Sequence, residues 1–280
     1  MTGNDAEILY WMIPLLAFAG ICAGLLAGLL GVGGGIVVVP ALYYIFSYLG
    51  IDPAVKMHLA VGTSLATIIA TSIRSVKAHQ AKGSFDADLF KSWAPAIVVG
   101  VFIGTWIASL ADMGVLTGVF GVVGFSAALY MTFGNPEWRI ADHLPSGLAA
   151  QPIPVVIGAI SAMMGIGGGT LSVPSLTLFG VPIHRAVGTS AGFGLVIAIP
   201  GTIGFIIAGW GKEGLPPYSL GYVSLLAFAL IVPLTVLAAP WGAKLAHSLS
   251  QVALRRAFAL FLGITSLRML WDTISTLNGS

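Results

Sequence analysis

Long apolar runs separated by short polar breaks make up most of this chain. Counting the runs predicts ten hydrophobic segments, most of them near the roughly 20 helical residues that cross a hydrocarbon core of about 30 Å. The predicted segments are 12–30, 36–49, 53–73, 93–111, 114–133, 148–164, 170–180, 182–208, 219–241 and 252–271. The pattern predicts an all-α polytopic membrane protein. The second and seventh segments are too short to cross as straight helices, so we expect half-helices or re-entrant pieces there.

A cluster of glycines interrupts the apolar pattern twice. Residues 31–40 read GVGGGIVVVP and residues 165–174 read GIGGGTLSVP, so the glycines and the proline recur in register. A second element follows each cluster, and HLAVGTS at 58–64 agrees with HRAVGTS at 184–190 at six of seven positions. We therefore predict a single transmembrane domain, 1–280, built from two copies of one unit. The first repeat covers 12–133, a polar loop covers 134–147, and the second repeat covers 148–271.

The distribution of Lys and Arg predicts how the repeats lie in the membrane, because these residues prefer cytoplasmic loops. If all ten segments cross, nine basic residues lie inside and three outside. The inside set is Arg74, Lys77, Lys82, Lys91, Arg139, Arg185, Lys244, Arg255 and Arg256, and the outside set is Lys56, Lys212 and Arg268. Both termini are then predicted to lie on the outer side of the membrane. Five segments per repeat is an odd number, so the two copies are predicted to be inverted, as in many secondary transporters.

Composition agrees with a membrane location. Apolar residues make up 57% and charged residues 8% of the chain, whereas soluble domains carry about 25% charged residues. The net charge is +2 and the basic residues are spread between segments, so no nucleic-acid partner is expected. The single cysteine, Cys22, lies in an apolar segment and is interpreted as a packing residue.

The glycine breaks are the first candidate binding elements. Backbone groups cannot stay unpaired in lipid, so a break at membrane depth must be buried in protein or line a wet cavity. Where the break opens a helix, free N–H groups and the positive dipole end favour an anion. The alternative is a tight turn or close helix packing. The candidate residues are Gly33, Gly34 and Gly35 in the first copy and Gly167, Gly168 and Gly169 in the second.

The Gly-Thr-Ser elements at 62–64 and 188–190 provide the second candidate set. Thr63 lies ten residues into the third segment and Thr189 seven into the eighth, so rises of about 15 and 10 Å bring them toward mid-membrane. Together with Ser64 and Ser190 they offer hydroxyl groups to a bound anion. The alternative is that each hydroxyl bonds a carbonyl one turn back or a neighbouring helix.

Four residues near segment ends are candidates for an entrance or gate, namely His58, His184, Arg185 and Arg74. Each histidine lies one helical turn before a Gly-Thr-Ser element and can meet an anion or respond to pH. The alternatives are a simple hydrogen-bonding role for the histidines and the positive-inside bias for the arginines.

Acidic residues are confined to segment ends and loops. They are Asp5, Glu7, Asp52, Asp86, Asp88, Asp112, Glu137, Asp142, Glu213 and Asp272. The sequence thus offers no mid-segment carboxylate for a proton relay, a sodium site, a metal site or a general base, and predicts neither a cofactor nor an enzyme. An anion pathway lined by amides and hydroxyls remains.

Two other classes of function are weighed against this pathway. A hydrolase would use Ser64 or Ser190 as nucleophile and His58 or His184 as base. On one helix, His and Ser six residues apart are separated by about 120° around the axis, which is poor for direct contact. A scaffold for a soluble partner is a third class, but the loops offer little surface for docking.

The doubled pattern, two Gly-x-Gly-Gly-Gly breaks each followed by a proline and an Ala-Val-Gly-Thr-Ser element, resembles the TauE/SafE family of membrane transporters, the sulfite exporter group. The resemblance covers residues 12 to 271. It implies an inner-membrane secondary transporter that moves sulfite, sulfoacetate or a related organosulfonate outward, with another small anion as the alternative. The implied partners are a small anionic substrate and membrane lipid, and a homodimer is left open. The matching residues are Gly31, Gly33, Gly34, Gly35, Pro40, Gly62, Thr63 and Ser64, with Gly165, Gly167, Gly168, Gly169, Pro174, Gly188, Thr189 and Ser190.

Overall fold

The computed structural model describes residues 13–25, 35–134, 138–145, 147–248 and 251–277, which form ten α helices and one short β-hairpin. The helices are α1 (Ile13–Leu25), α2 (Gly35–Tyr48), α3 (Pro53–Ala81), α4 (Ala87–Leu110), α5 (Met113–Phe133), α6 (Pro152–Met164), α7 (Gly168–Leu178), α8 (Ile183–Ala208), α9 (Leu225–Ser248) and α10 (Gln251–Leu277). A 3₁₀ turn, Gly147–Ala150, precedes α6. Strands β1 (Ser219–Leu220) and β2 (Val223–Ser224) pair antiparallel before α9.

The described chain is almost entirely helical, in agreement with the predicted all-α membrane class. Within the described ranges, α3, α4, α5 and α8 are long and apolar enough to cross a membrane. Shorter apolar helices accompany them, namely α1, α2, α6 and the part of α9 at Leu225–Ala239. The fold is therefore that of a multi-pass helical membrane protein.

Four helices extend beyond the predicted hydrophobic segments. α9 continues past 241 to Ser248 and α10 past 271 to Leu277. The sequence predicts α3 over 53–73 and α4 over 93–111, whereas α3 continues to Ala81 and α4 begins at Ala87. The extra turns are polar, so hydrophobicity does not mark them. Local signals set these boundaries instead. Gly83, with a φ of 67°, turns the chain after α3, and the Asp86 carboxylate caps the first N–H groups of α4.

The ninth predicted segment, 219–241, begins with the hairpin rather than with a helix. Ser219 pairs with Ser224 across the hairpin, and α9 begins at Leu225. Gly221 lies at the turn with a φ of 54°, a conformation that favours glycine. The apolar run therefore contains a tight turn that hydropathy alone does not reveal.

Three described helices, α2, α6 and α7, are too short to span a membrane alone, and α6 has 13 residues. α7 has 11 residues and α2 has 14, which correspond to rises of about 16 and 21 Å against a core of about 30 Å. Gly165 ends α6 with a φ of 66°. The Ile140 N–H donates to Leu178 O at 2.7 Å, so α7 ends beside the loop from which α6 begins. α6 and α7 therefore form a helical hairpin, and their short lengths agree with the half-helices or re-entrant pieces expected at the seventh segment.

α3 and α8 pack antiparallel through the centre of the molecule. An ideal Cβ on Gly201 of α8 would lie 3.0 Å from Leu65 of α3, and one on Gly194 would meet Ser72. Later residues of α8 therefore contact earlier residues of α3, so the two helices run in opposite directions. These two helices hold both Gly-Thr-Ser elements, which are buried as a result.

The outer helices join through close backbone approaches. α4 packs on α6, where Gly104 lies against Ala159, and α9 packs on α1, where an ideal Cβ on Gly24 would lie 2.7 Å from Thr235 O. α5 packs on α10. Small residues at helix contacts are common in membranes, because the hydrophobic effect does not drive helices together in lipid.

Gly62 and Gly188 mark close approaches of α3 and α8 to connecting loops. An ideal Cβ on Gly62 would clash with the carbonyl of Tyr222, and one on Gly188 would clash with the carbonyl of Ser84. A backbone carbonyl cannot swing away as a flexible side chain can. Each loop would therefore have to move to accept a methyl group.

We predict that Gly62→Ala and Gly188→Ala each destabilise the protein by about 1–3 kcal/mol, the usual effect of forcing a methyl group into a packed site. Gly118→Ala in α5 is the matched control, because its ideal Cβ lies 3.4 Å from the nearest atom, Thr273 Cγ2. Alanine in that helix is expected to be neutral or stabilising. Thermal unfolding of the three variants in detergent measures the difference. Equal melting temperatures would contradict the two close approaches.

Candidate functional site

A cavity of about 1030 Å³ lies beside the N-terminal end of α7. Its walls come mainly from α3, α5, α7, α8 and α10. Four of the sequence-predicted binding residues line it, namely Gly167, Gly168, Gly169 and Ser190. The second glycine break therefore opens onto a cavity.

The first turn of α7 supplies backbone donors at this cavity. α7 begins at Gly168, and its N-cap residue, Gly167, has no side chain that could accept a hydrogen bond. The first N–H groups of a helix have no partner within the helix. The helix dipole adds partial positive charge at the same end. An anion is the ligand that such an end favours.

Two buried hydroxyls that line the same cavity lack hydrogen-bond partners among the described residues. Ser190, on α8, is 1% exposed, and its Oγ is unpartnered. Thr170 Oγ1, in the first turn of α7, is also buried without a partner. An unpaired buried hydroxyl costs about 1–3 kcal/mol, so such groups indicate a place for a ligand or water. We call the N–H groups of Gly168 and Gly169, together with Thr170 and Ser190, the donor cluster.

Thr63 and Thr189 lie away from the cavity wall and join helices to loops. Thr63 Oγ1 accepts a hydrogen bond from the Ser224 N–H at 2.9 Å. Thr189 Oγ1 accepts one from the Asp86 N–H at 3.0 Å. Both threonines are fully buried. Each threonine therefore ties its helix to the hairpin or loop beside it, whereas the alternative drawn from the sequence is a bond to a carbonyl one turn back or to a neighbouring helix.

Ser64 ties the second glycine break to α3. Its Oγ donates to Gly165 O at 2.7 Å. An ideal Cβ on Gly35 would lie 3.2 Å from that same oxygen, so Gly35 packs against the break and is not part of the cavity wall. Gly33 and Gly34 lie outside the described residues.

His58, one of the entrance candidates, is packed inside the protein with 4% of its surface exposed. Its Nε2 is hydrogen-bonded to Ala108 O at 2.9 Å. Its ring stacks on Tyr222 with the centroids 4.8 Å apart. These contacts hold α3 against the end of α4 and the β-hairpin. His184, in the first turn of α8, and Arg74, on the polar part of α3, are exposed instead.

Arg185, the last entrance candidate, forms an ion pair with Asp86. The Asp86 carboxylate also accepts hydrogen bonds from the Asp88 and Leu89 N–H groups at 3.0 and 3.1 Å. Burial raises the pKa of Asp86, but the Leu89 hydrogen bond and Arg185 outweigh that effect. The pKa of Asp86 therefore lies below its usual value.

Sequence reasoning missed two polar features. Arg139 lines the cavity and lies 3.5 Å from Asp142, whereas the sequence marked it only as a basic loop residue. A second cavity of about 320 Å³ lies near the other end of α3, where Tyr43 OH donates to Asp272 at 3.1 Å. No local signal reveals that contact, because its two residues are 229 positions apart.

The helical hairpin of α6 and α7, the antiparallel central pair and the cavity with its donor cluster together describe a multi-pass membrane protein with a candidate ligand site inside the helical bundle. The chain belongs to the sulfite exporter TauE/SafE family, whose family model matches residues 16–269.

Relatives support a general transport function. The chain is 34% identical over 262 residues to a probable membrane transporter protein of Haemophilus influenzae, with 93% of this chain and 99% of that protein covered. It is 32% identical over 267 residues to a probable membrane transporter protein of Methanocaldococcus jannaschii, with 92% and 96% covered. No solved structure matches the chain.

We predict that Asp86→Asn lowers stability at neutral pH by up to about 1 kcal/mol, the size expected for an exposed ion pair. Asp86→Ala also removes the cap of α4, so it should cost about 0.5–2 kcal/mol more. Because the pKa of Asp86 is lowered in the folded protein, its charged form stabilises the fold above the ordinary carboxyl pKa of about 4. That contribution is lost as the pH falls through the folded-state pKa.

Thermal unfolding of wild type and Asp86→Asn at pH 7, 5 and 3 tests this. The gap in melting temperature should be present at pH 7 and 5 and shrink at pH 3. Asp142→Asn is the control, because the side chains of Arg139 and Asp142 are 59% and 86% exposed. It should leave the melting temperature unchanged. A gap for Asp86→Asn that stays constant or grows on acidification would contradict the assignment.

Proposed function

We propose that this protein is a secondary transporter that exports a small sulfur-containing anion, such as sulfite, sulfoacetate or a related organosulfonate, across the cell inner membrane. The observation that carries the proposal is the donor cluster, which is set at a helix N-terminus inside a cavity. The described residues lining the cavity include one cation, Arg139, and no carboxylate. Membership in the sulfite exporter family supports the choice of sulfur oxyanions.

An inverted arrangement of the repeats 12–133 and 148–271 is part of the proposal. Three reciprocal contacts support it. Gly62 and Thr63 of α3 contact the loop before α9, and Gly188 and Thr189 of α8 contact the loop before α4. α4 packs on α6, and its counterpart α9 packs on α1. α3 and α8 pack on each other in opposite directions.

The orientation we propose places the ends of α3 and α5, Arg185 and the 138–145 loop in the cytoplasm, and both termini outside. The basic residues at that face of the molecule support this placement. The cavity reaches the same face through Arg139, Pro182 and Ile183, so an anion from the cytoplasm has a route to the donor cluster. Export from a negative interior is favourable by about 2.3 kcal/mol per charge per 100 mV.

Transport of another small anion is the alternative, because amide and hydroxyl donors do not distinguish sulfur oxyanions from other oxyanions. The geometry offers less support to a hydrolase. Ser64 donates to Gly165 O and His58 bonds Ala108 O, so their hydrogen bonds point to different partners. Ser190, the other candidate nucleophile, has no hydrogen-bond partner among the described residues, so none of them is placed as its base.

The test is efflux of radiolabelled sulfite and sulfoacetate from proteoliposomes, with an inside-negative potential set by potassium and valinomycin. We expect efflux above that of empty liposomes and faster efflux when the potential is applied. Ser190→Ala should reduce the affinity or the rate by about five- to tenfold, because a donor to the anion is lost. Ser175→Ala is the matched control, since this cavity-lining hydroxyl already donates to Leu171 O at 2.8 Å.

Absence of efflux for both sulfite and sulfoacetate would overturn the choice of substrate. Equal effects of the two serine variants would overturn the placement of the site. Ser64→Ala serves as a separate control for folding. It removes the bond to Gly165 O, so we expect a lower melting temperature by an amount equivalent to about 1–3 kcal/mol.

A further inference from the structure

Buried hydroxyls without a hydrogen-bond partner occur at one place on the described wall of the large cavity, beside the start of α7. The wall also includes Ser72, Ser75, Tyr130 and Arg139. Four further hydroxyls already donate to carbonyls of their own helices. They are Thr71 to Ile68 O, Ser126 to Val122 O, Ser175 to Leu171 O and Thr177 to Val173 O, at 3.1, 2.8, 2.8 and 3.0 Å. The donor cluster differs because Ser190 and Thr170 have no partner among the described residues. A ligand's oxyanion placed at this end of the cavity would therefore satisfy donors that are otherwise unpaired.

Other parts of the cavity wall are apolar. α5 contributes Val123, Ala127 and Met131, which are spaced four residues apart and so share one face of the helix. α10 contributes Phe258 and Leu262, also four residues apart. We call these five residues the apolar wall. A charged or strongly hydrated group gains nothing from such a surface, whereas an alkyl chain leaves water by contacting it.

The size of the cavity agrees with a ligand larger than a bare oxyanion. Its volume of about 1030 Å³ lies at the upper end of the roughly 300–1,000 Å³ typical of sites for drug-sized ligands. A bare three- or four-oxygen anion takes up roughly the volume of two or three water molecules, each near 30 Å³. Such an ion would leave the apolar wall in contact with water.

We propose that this site takes an organic anion with a compact oxyanion head and an apolar chain of several carbons. The head binds the donor cluster, and the chain lies along the apolar wall of α5 and α10. The inference rests on the proposed anion site and deepens it by naming the substrate class. Ser190 and the first turn of α7 then set the affinity for the head, while Val123 and its neighbours on the wall set the preference for chain length.

The test uses a homologous series of linear sulfonates, from methanesulfonate through butane- and hexanesulfonate to octanesulfonate, with sulfite as the chainless reference. Binding to the full chain in lipid nanodiscs is measured by isothermal titration calorimetry, with empty nanodiscs subtracted. We expect the dissociation constant to fall by between about two- and fourfold per methylene, as for partial to full burial of each group. Ser190→Ala should weaken every member of the series by a similar factor, about five- to tenfold.

Variants of the apolar wall test whether the alkyl chain of the ligand lies against α5 and α10. The larger side chain in Val123→Trp occupies the space beside the apolar wall. It should abolish the dependence of the dissociation constant on alkyl chain length, while methanesulfonate still binds. Val122→Trp is the matched control, because the neighbouring Val122 is 58% exposed on the outer face of α5 and does not line the cavity. Ala127→Phe is a second wall variant, with the same expectation, in case Val123→Trp does not fold.

The possible results distinguish failure of this inference from failure of the proposed function. A chain-length dependence that is lost in the wall variants and kept in Val122→Trp supports the inference. Equal affinity for sulfite and all the sulfonates overturns it and leaves the proposed small-anion function standing. A dependence that is the same in wild type, Val122→Trp and both wall variants also overturns it, because the chain then lies in lipid. Binding of neither sulfite nor any sulfonate overturns the proposed function as well.

Discussion

Hydrogen bonding of the backbone inside a membrane is the constraint on which the structure depends. A helix break at that depth frees N–H and C=O groups that lipid cannot satisfy. At the second glycine break the protein satisfies some of them. The N–H groups of Gly165 and Ile166 return to carbonyls of α6, and Ser64 donates to Gly165 O. The N–H groups at the start of α7 are left over, and they face a cavity. The break is therefore partly satisfied within the bundle, and the N–H groups left over are the donors of the anion site proposed above.

The sequence predicts the helices well because apolar runs of a given length have few other structures available in a membrane. It predicts the site less completely. Gly168 and Ser190 line the cavity, but Thr63 and Thr189, chosen by the same reasoning, lie in contacts between helices and loops. Residue counting gives the depth of a side chain along a helix but not the direction in which it points. That direction depends on how helices distant in sequence pack. The contact of Arg139 with the cavity depends on the same long-range packing.

The two copies of the motif have different surroundings in spite of their similar sequences. Ser64 has a hydrogen-bond partner, whereas its counterpart Ser190 has none among the described residues. His58 is buried against Tyr222, whereas His184 is exposed. The serine and histidine of the first copy are therefore packed and hydrogen-bonded. In the second copy the serine has no partner among the described residues and the histidine is exposed. For the secondary transporter proposed above, such a difference between the two copies is expected in any single conformation.

The contacts between helices that are distant in sequence also affect the order in which the protein folds during synthesis. Gly104 of α4 packs on Ala159 of α6, and Gly24 of α1 packs on Thr235 of α9. Each early helix therefore finds its partner only after many more residues have been synthesised. Until α6 and α9 enter the bilayer, the glycine surfaces of α4 and α1 face lipid or a membrane chaperone. The first half of the polypeptide inserts before it can finish folding, and the last helices complete both halves together.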